Sequence, residues 1–225
     1  MREPTYPTVG AFTADLAAGT PVPAGGSASA LTGSVAAALM AMVCRVSLGR
    51  DDVVAKDEEL REALEQSERL RCRLLELVAE DALAFEAITD AMAMPEDDDD
   101  QRAARGEALM RAMWHATAPA LETLAAAQEA LALAASLAGR ASPEAASDLA
   151  VAVQLALAAA EGAALTVAAN LSTLPPGADV DSSRRRIRAG IEAARAFTAA
   201  AAAASSDTHA LPQQETGGPQ AAADG

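Results

Sequence analysis

The sequence predicts an all-α fold, an up-and-down bundle of about five main helices behind a short leading one. Three observations carry that expectation. The 225 residues are 51% hydrophobic but only 2% aromatic, and the apolar half is mostly Ala, Leu and Val. Ala and Leu are the strongest helix formers, and small side chains let helices approach closely. Apolar residues recur at steps of three and four, with Pro- and Gly-rich breaks between the periodic stretches. Such a length suits one domain with a sizeable core and a dispensable end.

Residues 9–18 read as the short helix, closed by Gly19. The loop through Pro21, Pro23, Gly25 and Gly26 follows, with Ser27 expected as N-cap of a helix reaching Leu48. Ala30, Gly33, Ser34 and Ala37 make a small-residue ridge along that helix. Gly49-Arg50-Asp51-Asp52 breaks it, and a long helix is expected over residues 53–94. Leu60, Leu64, Ser67, Arg71, Leu74, Val78, Asp81, Phe85, Ile88 and Met92 form its packing seam. Ser67, Arg71 and Asp81 are the polar members of that seam.

Pro95, Glu96 and the four aspartates that follow read as a solvated loop. A helix over residues 101–138 contains Pro119, and an interior proline costs about 3 kcal/mol and kinks a helix. A bend is therefore expected at residues 114–121. Gly139 to Pro143 is a turn, and the most apolar helix spans residues 144–171. Pro175-Pro176-Gly177 ends it, and a last helix covers residues 181–203, opening with Arg184-Arg185-Arg186. The domain is expected to occupy residues 1–204, with residues 205–225 a disordered tail by composition.

Charge and cysteine usage narrow the functional classes. A net charge of -15 argues against nucleic acid as a partner, and against anionic membrane surfaces. Cys44 and Cys72 fall in apolar helical pattern without a CxxC, and His115 and His209 are too far apart to form a motif. No metal is implied. The N-terminus lacks the apolar core of a signal peptide. The one run that could span a bilayer, residues 149–171, carries Gln154, Glu161, Thr166 and Asn170 and reads as a buried helix. A cytoplasmic location is expected.

Three features could carry chemistry. Gly25-Gly26-Ser27 lies where a loop enters a helix, whose free N–H groups favour a carboxylate, phosphate or carbonyl oxygen; a tight turn needs the same glycines. Asp81 sits on a core-facing seam, where a carboxylate must be paired, hydrogen-bonded or used. A salt bridge to Arg45 or Arg71 and a proton-shuttling role weigh equally there. Ser147-Asp148 and Asn170 lie on the apolar helix. Asp148 and Thr166 are five turns apart and face the same way, about 27 Å from each other. The two ends of this helix cannot serve one small site within one helix pair, and Asp148 equally suits the helix dipole.

Taken in order, these pieces resemble the formiminotetrahydrofolate cyclodeaminase / methenyltetrahydrofolate cyclohydrolase family. The resemblance rests on Pro23-Ala24-Gly25-Gly26-Ser27, Met42-Val43, Asp81 to Phe85, Met94-Pro95 and Ala116-Thr117-Ala118-Pro119. Ala145-Ala146-Ser147-Asp148 and Gly162-Ala163-Ala164-Leu165-Thr166-Val167-Ala168-Ala169-Asn170-Leu171 complete it, over about residues 10–200. It departs from the family pattern at Ala24, at Arg50 to Val53, at Glu144 and at Thr166.

The resemblance implies a one-carbon folate enzyme without metal or cofactor, its substrate a tetrahydrofolate derivative. Asp81 would be the proton shuttle and Asp148 a second acid or orienting group. Gly25, Gly26, Ser27, Ser147 and Asn170 would hold substrate, and Arg184 to Arg188 would attract a glutamyl tail or form a solvated basic patch. A homodimer is expected from the family and from the ridges Ala158/Gly162 and Ala159/Ala163. Two other classes compete: a protein of this fold acting on a non-folate substrate, and an inert helical association module. Asp81→Leu separates the last, since a mere scaffold should gain stability from it.

Overall fold

The computed structural model describes residues 8–49, 57–172, 174 and 176–208, and among these there is no β-strand. In chain order the helices are α1 (Val9–Ala17), α2 (Gly25–Leu48), α3 (Asp57–Met92) and α4 (Asp99–His115). α5 (Thr117–Leu137), α6 (Ala146–Ser172) and α7 (Ala178–Thr208) follow, a 3-10 turn at Pro143–Ala145 leading into α6. The expected break at Arg50-Asp51-Asp52, the first seven residues and the tail with His209 lie outside the described residues. α7 runs past the expected boundary at residue 204.

The two most apolar helices, α2 and α6, lie against each other and organise the rest. α3 covers α2, while α5 and α7 cover α6. Ala30, Ala36 and Ala37 of α2 and Ala152, Ala156, Ala159, Ala160 and Ala163 of α6 are 0% exposed. Short side chains let these backbones come close, which a Leu-lined surface would forbid. Gly33 marks the tightest crossing, where a Cβ would stand 3.1 Å from Leu74 of α3 and 3.4 Å from Ala159 of α6. Met40, Leu60, Leu77 and Leu131 fill the spaces around this alanine centre.

Direction follows from the cross-links. Ser27 Oγ donates to Val78 O, Ser34 Oγ donates to Arg71 O, and Arg45 pairs with Glu68, so α2 and α3 are antiparallel. Gly25 lies against Thr166 and Gly33 against Ala159, while Ser142 N–H donates to Ser47 Oγ. α2 and α6 are therefore antiparallel too.

Four sequence expectations change. The helix expected over residues 101–138 is two helices, α4 and α5, parted at Ala116. Pro119 lies in the first turn of α5, where its missing N–H has no partner to lose. α2 starts at Gly25 with Ala24 as N-cap, so Ser27 is a buried first-turn residue and not the cap. The ridge Ala159/Ala163 is buried within the chain rather than offered to another subunit. Finally, α2 as well as Pro143–Ser172 is long and apolar enough to cross a membrane. Each buries one face against the other in the bundle, while Val35, Val46, Val151 and Leu165 remain exposed on their outer sides.

Gly33→Val forces two methyl groups into the α2–α3–α6 crossing and should destabilise by about 1–3 kcal/mol. Urea unfolding followed by circular dichroism measures this. An unchanged midpoint would show that the crossing is looser than described.

Candidate active site

An α-helix opens with N–H groups that lack intrahelical partners, and a side-chain cap normally satisfies one of them. α2 cannot do this for itself, because its N-cap Ala24 has no polar atom and makes no side-chain cap hydrogen bond. The acceptor comes from α3. Asp81 Oδ2 accepts a hydrogen bond of 2.8 Å from Ser27 Oγ, and the backbone N–H of Ser27 also donates to the carboxylate. Asp81 thus caps α2 from the neighbouring helix.

Gly26 makes room for that contact. A Cβ there would lie 2.6 Å from Asp81 Cγ and closer still to Oδ1. The glycine is needed because a carboxylate occupies the space, not because a turn requires an unusual backbone. Gly25, one residue earlier, is exposed, and a Cβ there would stand 3.7 Å from Thr166 Oγ1 of α6. Ser29 Oγ donates to Gly25 O at 2.7 Å and presses against Gly162. Asn170, one turn beyond Thr166, donates from Nδ2 to Ala116 O at 3.0 Å, across the α4–α5 break.

The electrostatics of Asp81 are those of a carboxylate short of a counter-ion. Arg45 and Arg71 both bond Glu68 at 2.7 Å, and among the described residues no cation pairs with Asp81. Neither Arg45 nor Arg71 therefore forms the expected salt bridge with Asp81. Burial pushes the Asp81 carboxyl above its ordinary value, and the two Ser27 bonds pull it partly back. A group balanced this way can take and return a proton nearer neutrality than a solvated aspartate can.

The structure brings Gly25, Gly26, Ser27, Asp81 and Asn170 to one end of the bundle and leaves Ser147 and Asp148 at the other. Ser147 is exposed in the first turn of α6 and Asp148 half-buried beside it. About 27 Å of helix separates Asp148 from Thr166, which borders Gly25. Arg184, Arg185, Arg186 and Arg188 are all exposed on α7, with Arg184 3.8 Å from Asp181. Ser29 and Thr166 also border the glycine turn. Thr166 is marked in the sequence by its departure from the family pattern, whereas the signal for Ser29 is its position one turn from Gly25.

One other polar grouping does not join this end. Arg73 bonds Glu122 through two 2.7 Å contacts and also reaches Glu80 and Glu76, clamping α3 to α5 as one cation among three carboxylates. Among the described residues no three His, Cys, Asp or Glu side chains are grouped to hold a metal ion.

Comparison with known proteins places this arrangement among relatives. The family profile described as Formiminotransferase-cyclodeaminase matches residues 8–189. The chain is 35% identical over 167 residues to a protein of Methylorubrum extorquens named methenyltetrahydrofolate cyclohydrolase, covering 74% of this chain and 80% of that protein. It is 31% identical over 190 residues to the formimidoyltransferase-cyclodeaminase of Sus scrofa, spanning 34% of that longer protein. Its fold matches the crystal structure of formiminotetrahydrofolate cyclodeaminase from Thermotoga maritima with a TM-score of 0.73, at 20% identity, over 89% of this chain and 94% of the other.

Because the hydrogen bonds from Ser27 favour the ionised form of Asp81, Ser27→Ala should raise the Asp81 pKa further above 3.8. Carbon-detected NMR titration of the Asp81 carboxyl tests the sign. A fall, or no movement, would mean that Ser27 does not stabilise the charge.

Proposed function

Since the chain belongs to the formiminotransferase-cyclodeaminase family, we propose that it is a one-carbon folate enzyme acting at the carbon that bridges N5 and N10 of a reduced folate. The observation that carries this is Asp81: a part-buried carboxylate held at a glycine turn by Ser27, with no cation partner among the described residues. Both candidate reactions need a proton moved at a tetrahedral carbon, and neither needs electrons. Positioned acid–base groups contribute about 10²–10⁴-fold to such steps, and we assign no metal or further cofactor.

In hydrolysis, water adds to the methenyl carbon while the Asp81 carboxylate takes its proton. The C–N5 bond then breaks as Asp81 returns its proton to N5 and the adduct's hydroxyl gives up its own proton to solvent, so that the C=O of the 10-formyl compound forms and the product leaves. In cyclodeamination, N10 attacks the formimino carbon and gives up its proton to Asp81. The amino nitrogen is protonated and ammonia departs, leaving the methenyl bridge. Only the second is a lyase reaction. The relative named a cyclohydrolase, which the chain matches over most of that protein's length, favours hydrolysis. The cytoplasm, where thiols such as Cys44 and Cys72 stay reduced, is the compartment we propose.

Methenyltetrahydrofolate and formiminotetrahydrofolate, offered separately, test the reading. The near-ultraviolet band of the methenyl compound should decay in the first case or grow in the second. Asp81→Asn should lower the rate at least about 10²-fold while helicity is kept. No change of absorbance with either compound sinks folate catalysis by the wild type.

A homodimer accounts for the placement of Asp148. The outer faces of α2 and α6 carry the exposed Val35, Val46, Val151 and Leu165, with exposed Ala158 at the middle of α6. A two-fold axis there would run the α6 helices antiparallel and set the partner's Asp148 beside residue 168, at the Thr166–Asn170 end. Mixing inactive Asp81→Asn and Asp148→Asn proteins should then restore about a quarter of wild-type activity, since each mixed dimer has one intact site. No recovery after subunit exchange, proven by mass spectrometry, would remove Asp148 from a shared site.

A further inference from the structure

The seam of α3 changes character just past Asp81. Leu74 and Val78 on that stripe are 0% and 4% exposed, whereas Phe85, the next large apolar residue along it, is 37% exposed. The cause is the length of the helices. α2 begins at Gly25, opposite Asp81, so α3 outruns its antiparallel partner by about three turns. The cover returns one turn further on: Ile88, on the same stripe, and Ala91 are buried with Ala112 and Ala116 at the end of α4, so the stripe is open at Phe85. The stripe bearing Asp81 and Phe85 is left beside the glycine turn.

Residues four apart on a helix have Cβ atoms about 5–6 Å apart, so the Phe85 ring can reach the space over the Asp81 carboxylate. The chain has only three Phe, one Trp and one Tyr. Phe12 is one of them and is buried in the core at 4% exposure. A half-exposed ring one turn from the Asp81 carboxylate offers a flat apolar face beside an acid–base group. That combination suits a ligand that is a planar heterocycle next to the atom being transformed.

We propose that Phe85 stacks on the flat pyrimidine half of the reduced pterin and so holds the one-carbon bridge against Asp81. This rests on the folate reading above and adds to it a binding and specificity residue that moves no proton. A ring face has no hydrogen-bond pattern of its own, so Phe85 selects for planarity and the polar groups nearby select for chemistry.

Phe85→Leu keeps apolar bulk and removes the flat face; Phe85→Tyr keeps the face. Each is compared with wild type for methenyltetrahydrofolate turnover and, by calorimetry, for binding of 5-formyltetrahydrofolate and of tetrahydropterin, which lacks the aminobenzoylglutamate. Phe85→Leu should raise KM and both dissociation constants roughly ten- to a hundred-fold, as lost aromatic stacking does. Its kcat should stay within about threefold, because the contact is made equally in ground and transition states. Phe85→Tyr should resemble wild type.

Unchanged KM and binding in a well-folded Phe85→Leu protein overturns the inference and leaves the folate reading standing. Weaker folate binding with unchanged tetrahydropterin binding overturns it too, by moving Phe85 to the aminobenzoyl part. Tetrahydropterin binding that Phe85→Leu weakens, in a wild type without turnover, supports the stacking and overturns only the enzymatic reading. A wild type that neither turns over nor binds any of the three compounds overturns both.

Discussion

The hydrogen bonds between Asp81 and Ser27 are the interaction from which this end of the molecule is built. α2 begins without a polar cap of its own, and its first-turn N–H needs an acceptor from another element. Asp81 supplies it from α3 and thereby sets the register of the two helices at their open end. Gly26 has no side chain because that carboxylate fills the space a Cβ would take. A local vacancy in helix capping has been filled by a group capable of chemistry.

That solution leaves a tension in place. A structural carboxylate commonly takes a cation as partner. Arg45, in the last turn of α2, and Arg71 instead bond Glu68, away from the Asp81 end of the helix pair. Among the described residues Asp81 has only the neutral donors of Ser27, and burial outweighs them in moving its carboxyl upward. As pH rises through its folded pKa the charge must be carried in a poorly solvated place, so this residue contributes progressively less to stability. Retaining such a group makes sense where its proton is used.

The alanine-rich centre explains how an otherwise plain bundle can hold a site at one end. α2 and α6 meet through Gly33, Ala159 and other small residues, so their backbones, and not long side chains, fix the spacing. Glycines at the same end, Gly25 against Thr166 and Gly162 against Ser29, continue that close approach to the rim. The stiffness of long helices carries it further. α3 extends beyond the start of α2 and leaves Phe85 half-exposed beside the part-buried Asp81, while α6 carries Asp148 away to the far end.

The sequence alone determined that the chain is helical, because Ala and Leu periodicity is a local property read over a few turns. It likewise marked Asp81, Gly26 and Asn170, since a polar residue on an apolar seam and a glycine at a helix start stand out from their neighbours. Tertiary structure decided what could not be local. It chose Glu68 over Asp81 as the partner of Arg45 and Arg71, and moved the α2 start back to Gly25 by capping it from α3. Around Pro119 it parted the helix, with the Ala116 carbonyl accepting from Asn170. Each outcome depends on which residues, far apart in the chain, come within about 3 Å of one another, and hydrogen bonds act only over that distance.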